Sequence, residues 1–158
     1  MALAGLLDTM SNSLPAAAGL GSAAARPGPS VRRGAKAFIT SGSRVLLVRE
    51  RHADGRGFWT FPGGGARPRE PLTDAVRREL DEELDCVAVV GSPVSRFWYA
   101  HVSRPSTVSV YTVFDCAVAS EVHPVRGEGV LESRWVDPDQ PPARTLPQVR
   151  HVLRDHGP

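Results

Sequence analysis

Apolar and polar positions follow a regular order along most of the chain, and their period predicts both strands and helices. Short apolar runs at 35–39 and 45–48 flank the turn-forming residues 40–43, so we expect a two-stranded hairpin there. Phe58–Phe61 predicts a further short strand, which the turn-forming sequence Pro62-Gly63-Gly64-Gly65 ends.

The strongest periodic signal predicts a helix over Pro71–Leu84. Val76, Leu80 and Leu84 recur every four residues and form one apolar stripe, which is typical of a helix packed on a core. A second helix is predicted over Leu146–Asp155. The remaining strands are expected at 87–90, 95–102, 106–119 and 131–136. This order of elements predicts a mixed sheet with helices packed on its faces.

Composition divides the chain into two parts. Residues 1–32 are rich in Ala, Gly, Pro and Ser without periodicity, which predicts a flexible N-terminal arm. Residues 33–158 suit one globular domain, because 41% of the whole chain is hydrophobic and 23% is charged. The formal net charge of +2 is too small to imply a nucleic-acid or a membrane partner. Of the 19 basic residues, 18 are Arg and only Lys36 is Lys.

The two cysteines and the missing membrane signal favour a cytoplasmic protein. Cys86 and Cys116 lie far apart in apolar runs, so we expect buried thiols in a reducing compartment and no zinc or redox motif. No apolar run approaches the roughly 18 residues of a membrane span.

Three glutamates in the predicted first helix are the main candidate site. Glu79, Glu82 and Glu83 stand at i, i+3 and i+4, so they share one helix face. Each like-charge pair costs about 0.2–0.5 kcal/mol. Divalent cations such as Mg²⁺ bind carboxylate oxygens and would offset this repulsion. The alternative interpretation is a solvated acidic patch.

Residues around these glutamates favour the metal interpretation. The sequence Pro62-Gly63-Gly64-Gly65 comes shortly before the helix, and its bare backbone allows close approach of a phosphate or a metal. The planar guanidinium of Arg78 is suited to orienting a carboxylate, and Glu70 is placed to bond back to the loop.

The segment Gly64–Cys86 resembles the Nudix box, in which Gly, Glu, Arg-Glu, an aliphatic residue and Glu-Glu recur at fixed spacing. The positions that match are Gly64, Glu70, Arg78, Glu79, Leu80, Glu82 and Glu83. Asp85 departs from the pattern, because the family usually has glycine there. Glycine at this place takes the left-handed conformation that ends a helix, and Asp tolerates that conformation better than most residues. The chain is therefore identified as similar to MutT-like Nudix hydrolases.

The resemblance implies an α/β (α+β) fold, an α/β/α sandwich around a mixed sheet. It also implies a metal-dependent hydrolase that cleaves the diphosphate linkage of a small nucleotide, with Mg²⁺ or Mn²⁺ as cofactor. Carried over by position, Glu79, Glu82 and Glu83 would be metal ligands, the Gly63 carbonyl a further ligand, and Arg78 an orienting residue. A homodimer is a further expectation from the same resemblance.

The general base is left open between two locations. Family members use either a box glutamate, here Glu79 or Glu82, or an acid from a later loop. Glu128, in the sequence Arg126-Gly127-Glu128-Gly129, is the loop candidate, and its alternative interpretation is a solvated turn residue.

The substrate and the rival functions also stay open. Five aromatic residues are candidates for stacking on a base but are also typical core or sheet residues: Phe58, Trp59, Phe97, Trp98 and Tyr99. Four arginines are candidates for phosphate contacts or for solvated surface: Arg44, Arg49, Arg51 and Arg96. One rival function is a catalytically silent Nudix-fold sensor that binds nucleotides. The other is an α+β interaction domain with an acidic helix.

Overall fold

The computed structural model of the protein describes residues 28–101 and 104–158, which form strands and helices in an alternating order. In chain order these are β1 Ser30–Ser41, β2 Arg44–Arg51, β3 Gly57–Thr60, β4 Gly63–Gly65, α1 Leu72–Leu84, β5 Ala88–Ala100, β6 Thr107–Val118, a 3-10 turn Arg126–Glu128, β7 Val130–Val136 and α2 Pro147–His156. The predicted arm of residues 1–32 falls mostly outside the described residues, although residues 30–32 are part of β1.

Strand β1 lies at the centre of a seven-stranded sheet and pairs with β2, β4 and β6. The main path has the order β3-β2-β1-β6-β5, with β4 paired to β1 and β7 paired to β2. The end of β1 forms the predicted hairpin with β2, since Thr40 pairs with Val45 and Ser41 with Arg44. Strands β1 and β6 pair in parallel, whereas the other pairs are antiparallel. The prediction of a mixed sheet is confirmed.

Two elements differ from the sequence prediction. Gly63–Gly65 does not simply end β3, because these glycines form β4 and pair with Gly34–Lys36 of β1. The strands predicted at 87–90 and 95–102 are one strand, β5, whose register against β6 shifts between Val90 and Ser95. Pro93 lies within β5 without ending it. Because β5 is an edge strand, a residue on its unpaired side needs no N–H donor.

Two apolar clusters cover opposite faces of the sheet. Alternate side chains of β1 separate them, because Ala35, Ala37 and Ile39 pack in one cluster and Phe38 packs in the other. The first cluster includes the buried stripe of α1, and the second includes the buried side of α2. The helices thus cover the two faces of the sheet, which confirms the predicted arrangement.

Helix α1 starts at Leu72, directly after Pro71, and ends at Leu84. Its predicted stripe of Val76, Leu80 and Leu84 has no exposed surface. This burial fixes the rotation of the helix, so the glutamate face turns toward β4. Asp85 follows with φ 47° and ψ 45°, the left-handed conformation expected at this position.

Cys86 and Cys116 are buried free thiols, as predicted. Burial raises the pKa of Cys86 to about 11 and that of Cys116 to about 12. Within residues 28–101 and 104–158, neither helix has the length and apolar character needed to cross a membrane.

Replacing Asp85 by Gly should stabilise the domain. A non-glycine residue in the left-handed region costs about 1–2 kcal/mol, and a carboxylate at a helix C-terminus also opposes the helix dipole. For Asp85→Gly we expect a melting temperature higher by roughly 2–4 °C, with an unchanged rate of catalysis. Thermal unfolding followed by circular dichroism measures the shift, and an unchanged or lower melting temperature would contradict this account of the helix end.

Candidate active site

The three box glutamates lie on the side of α1 that faces β4. Glu79 and Glu82 both accept hydrogen bonds from Nη1 of Arg78, at 3.0 Å and 3.1 Å. Glu83 is buried and accepts the backbone N–H of Gly63 at 2.8 Å. Glu79 and Glu83 therefore lie against β4, the glycine strand, and neighbouring donors orient all three carboxylates.

Arg78 connects α1 to the loop before it. Its Nε and Nη2 donate to the two oxygens of Glu70 at 2.8 Å and 2.9 Å, which is the bidentate geometry preferred by a guanidinium. Nη2 also donates to the Gly65 carbonyl at 3.0 Å. Glu70 in turn accepts the backbone N–H of Arg67 at 2.8 Å, so the predicted bond back to the loop is confirmed.

The glycines of β4 are required by close contacts. A Cβ on Gly64 would lie 2.7 Å from Cδ of Glu79, so only a bare backbone leaves room for that carboxylate. Gly63 has φ 122°, a conformation that favours glycine. A Cβ there would also meet the backbone of Ala35 on β1. The glycine strand thus forms a cradle that the side chains of α1 fill.

The donor atoms of this cradle are oxygens, the type that a hard divalent cation binds. Burial raises the pKa of Glu79 and of Glu83, because neither carboxylate has enough solvent to stabilise its charge. Among the described residues, no three His, Cys, Asp or Glu side chains are already arranged to hold a metal ion. Arg78 instead supplies positive charge to Glu79 and Glu82. Crowded, partly desolvated carboxylates beside a bare backbone are the ligands that Mg²⁺-like ions take.

Lys36 is a second cation at this site. The side chain is buried, and its Nζ donates to the Gly63 carbonyl at 2.5 Å and to Glu50 at 3.3 Å. The ring centroid of Tyr111 lies 5.2 Å from Nζ. The Gly63 carbonyl, predicted as a metal ligand, thus has an ammonium partner here, and its second lone pair remains available.

A cavity of about 540 Å³ opens beside Lys36 and Glu50. His52 and Phe58 stack against each other on its wall, with ring centroids 4.0 Å apart and planes 26° apart. Thr60 also lines the cavity, and its buried hydroxyl has no hydrogen-bond partner in the part of the chain that the structure describes. The cavity therefore offers aromatic walls and one unused polar group to a ligand.

The chain matches a family model described as the NUDIX domain over residues 30–156. The chain belongs to the Nudix family. Among its relatives, the nucleoside triphosphatase NudI of Escherichia fergusonii is 31% identical over 98 residues, covering 54% of this chain and 69% of that protein. NudI of Salmonella arizonae is 29% identical over 118 residues, covering 66% of this chain and 83% of that protein.

Solved structures show the same fold. A MutT NUDIX hydrolase from Burkholderia pseudomallei has a TM-score of 0.72 at 24% identity, and the match covers 80% of this chain and 98% of that one. The mixed sheet with two helices is therefore the Nudix fold, as the resemblance implied. The chain is a Nudix-type hydrolase of nucleotide derivatives, and enzymes of this family generally use divalent metals.

The aromatic candidates separate into two groups in this Nudix domain. Phe58 and Tyr99 line the cavity, and Phe97 borders it from the buried cluster under α2. Trp59 belongs to the buried cluster under α2, and Trp98 is 64% exposed. The first group is thus available to a ligand, whereas Trp59 is a core residue.

The arginine candidates are also divided. Arg51 lines the cavity, so it is placed for a ligand contact. Arg49 pairs with Glu132 at 3.7 Å. Arg44 donates to the Trp135 carbonyl at 3.4 Å, and Arg96 is exposed.

Glu128 lies in the 3-10 turn before β7, and its side chain is exposed. No hydrogen bond or ion pair involves this side chain within the described ranges. The loop that carries it is attached to the end of α1, because the N–H of Val125 donates to the Glu83 carbonyl at 2.8 Å. The loop is thus attached to the helix that carries the box glutamates, and the role of Glu128 as a base stays a prediction.

Sequence reasoning missed Lys36, Glu50, His52 and Thr60. The sequence does contain a sign that Lys36 is special, because it is the single charged residue in the apolar run 35–39 of a predicted strand. A buried charge requires a partner, so such a residue indicates a functional or structural ion pair. The identity of that partner depends on the pairing of β1 with β4 and β2, which the sequence does not reveal.

The pairing of Glu70 with Arg78 predicts a loss of stability in acid. Hydrogen bonds from Arg78, followed by the Arg67 N–H, lower the pKa of Glu70 to about 2 from an ordinary value of 4.5. A carboxyl with a lowered pKa contributes stability above about pH 4.5, and this contribution is lost as the pH falls toward 2. We expect Glu70→Gln to be less stable than wild type at pH 6, with the difference shrinking by pH 3.

Urea unfolding at the two pH values measures this difference. Asp74→Asn is the matched control, because Asp74 pairs with Arg77 on the exposed side of the same helix. Because this pair is exposed to solvent, the stability difference between Asp74→Asn and wild type should be small at both pH values. A Glu70→Gln deficit that is equal at pH 6 and pH 3 would show that the ion pair contributes nothing.

Proposed function

We propose that this Nudix hydrolase cleaves the diphosphate linkage of a nucleoside triphosphate or another nucleoside diphosphate derivative, with Mg²⁺ or Mn²⁺. One observation carries the proposal. Glu79 and Glu83 lie against the glycine strand, Arg78 orients Glu79 and Glu82, and Lys36, bonded to the Gly63 carbonyl, lines a cavity of about 540 Å³. This arrangement supports a model in which the phosphates bind near the glutamates and the rest of the nucleotide occupies the cavity.

In this proposal the metal is held by Glu79, Glu82 and Glu83, with the Gly63 carbonyl as a further oxygen ligand. The donor set supports it, since all four are oxygen ligands and the buried acids lack solvent. When bound, a divalent ion neutralises phosphate charge in the transition state and lowers the pKa of water.

The reaction itself is attack by water on phosphorus. A new P–O bond forms, the bridging P–O bond breaks, and the leaving phosphate departs with the bond electrons. A carboxylate takes the proton of the attacking water. Glu79 is our candidate, because its carboxylate lies directly against the backbone of Gly64 and is held there by Arg78. Glu128 is the alternative base on the loop, and Arg78 keeps Glu79 and Glu82 in orientation.

The relatives guide the choice of substrates. Both relatives described above are nucleoside triphosphatases by name. Nucleoside triphosphates are therefore the first class to examine, followed by ADP-ribose, nucleotide sugars and dinucleoside polyphosphates. Stacking on the cavity aromatics is tolerant of the base, so the cavity alone favours no single base.

Phosphate and diphosphate release from this panel tests the proposal, with Mg²⁺, with Mn²⁺ and with EDTA. We expect turnover of one class that stops with EDTA and returns when metal is restored. Glu79→Gln and Glu128→Gln in the same assay compare the two candidate bases, and the Mg²⁺ affinity of each variant shows whether a lost rate comes from a lost ligand. If nucleotide and metal bind but no member of the panel turns over, the catalytically silent sensor becomes the better interpretation.

A further inference from the structure

Lys36 lies at the junction between the box glutamates and the cavity. Its ammonium binds the Gly63 carbonyl, and the N–H of the same glycine binds Glu83. Lys36 also lines the cavity together with its ion-pair partner Glu50. A diphosphate that extends from the glutamates into the cavity therefore has to pass this ammonium.

One of the three N–H donors of Lys36 has no hydrogen-bond acceptor among the described residues. An ammonium has three N–H donors, and the bonds to Gly63 and Glu50 use two of them. Within the described residues no third acceptor is bonded to Nζ, and the face of Tyr111 lies near it at 5.2 Å from Nζ to the ring centroid. A ligand oxygen on the cavity side would complete the hydrogen bonds of the ammonium.

Charge and burial favour an anion as that ligand. Lysine is protonated in water at neutral pH, and the carboxylate of Glu50, 3.3 Å from Nζ, favours this charged form. The side chain is thus an ammonium at neutral pH. Because it is only 4% exposed, its interaction with an anion is weakly screened by water.

We propose that Lys36 donates a hydrogen bond to a non-bridging oxygen of the substrate's diphosphate. This inference rests on the proposed function and adds the residue that binds the diphosphate on the cavity side of the glutamates. A purely structural role is the competing explanation, in which Lys36 only neutralises the buried carboxylates around it. The two explanations differ in what Lys36 does when a diphosphate binds.

The contact between Lys36 and a diphosphate can be tested on the wild-type protein, because Lys36 is the only lysine in the chain. Labelling with ¹³C,¹⁵N-lysine therefore gives a single set of side-chain NMR signals. Methylenediphosphonate, a diphosphate mimic that cannot be hydrolysed, is the probe, and it is added to protein already saturated with Mg²⁺. We expect the Nζ and Cε signals of Lys36 to shift and to saturate at the dissociation constant that calorimetry gives for the same probe.

Two results would overturn the proposal in this titration. One is binding by calorimetry without movement of the Lys36 signals, which leaves Lys36 a structural residue. The other is no binding of methylenediphosphonate at all.

A variant supplies the second measurement. Lys36→Met should weaken methylenediphosphonate binding by about tenfold or more, whereas Arg44→Met, which removes the same charge from the start of β2, should leave it unchanged. If Lys36→Met does not fold, Lys36→Met/Glu50→Gln removes both charges of the pair and serves for the same comparison. Equal affinity in the Lys36 and Arg44 variants would contradict the proposal.

Failure of this inference is distinguishable from failure of the proposed function. A protein that hydrolyses a nucleotide while its Lys36 signals stay fixed keeps the function and loses the Lys36 contact. A protein that moves Lys36 on binding diphosphonate but hydrolyses nothing keeps the contact within a binding module.

Discussion

Glu82→Gln should lower the rate of metal-dependent hydrolysis by about a thousandfold while leaving the fold intact. The substitution keeps the size of the side chain and removes its negative charge. Glu82 is part of the proposed metal site, and Arg78 and Arg67 bind its two oxygens at 3.1 Å and 3.3 Å. Loss of one charged ligand weakens both the binding of the ion and its effect on the phosphate. Because the side chain is 34% exposed, little stability depends on it.

The neighbouring acid provides a matched control. Asp81→Asn makes the same change of charge and shape one residue earlier on the exposed side of α1. Steady-state kinetics and Mg²⁺ calorimetry on both variants measure the difference. We expect Asp81→Asn to retain the wild-type rate and Mg²⁺ affinity, and Glu82→Gln to lose at least tenfold in affinity. Comparable activity in the two variants would show that the acidic helix is only a solvated surface.

The first helix and its acids could be predicted from the sequence because their signals are local. A stripe at every fourth residue sets the rotation of α1, and that rotation alone determines where Glu79, Glu82 and Glu83 point. The spacing from Gly64 to Glu83 is likewise a local property of the chain. The orientation of each carboxylate by Arg78 then follows from neighbours within one or two helical turns.

The surroundings of Lys36 and of the three glycines depend on the pairing of strands that are distant in sequence. No local sequence pattern predicts this pairing. Strand β1 pairs with β4 about 30 residues later and with β6 more than 70 residues later. Gly63–Gly65 was predicted as a turn because three glycines are typical of turns. Their place in the sheet comes from the space that β1 and α1 leave for a bare backbone. For these glycines, tertiary packing overrides the local preference of glycine for turns.

The second large effect is expected for Gly64→Ala. A Cβ at this position would lie 2.7 Å from Cδ and 2.8 Å from both oxygens of Glu79. The backbone can accept alanine, since Gly64 has no positive φ, and the atoms that must move are the end of a flexible side chain. The fold should therefore survive while the Glu79 carboxylate is displaced from the glycine strand. A displacement of about 1 Å in such a site costs on the order of a hundredfold in rate.

Gly65→Ala is the control for the effect of a methyl group on the same strand. Its Cβ would meet only the guanidinium end of Arg32, at 3.0 Å, which can move aside. Kinetics should show a roughly hundredfold lower kcat for Gly64→Ala and at most a threefold change for Gly65→Ala, with melting temperatures close to wild type for both. If Gly64→Ala keeps the wild-type kcat, the position of Glu79 against β4 does not matter for the reaction, and its assignment as the general base is wrong. If both variants unfold, the glycines are required by the sheet and not by the acid. The comparison therefore separates the requirement of β4 for glycine from the requirement of the site for Glu79 at that place.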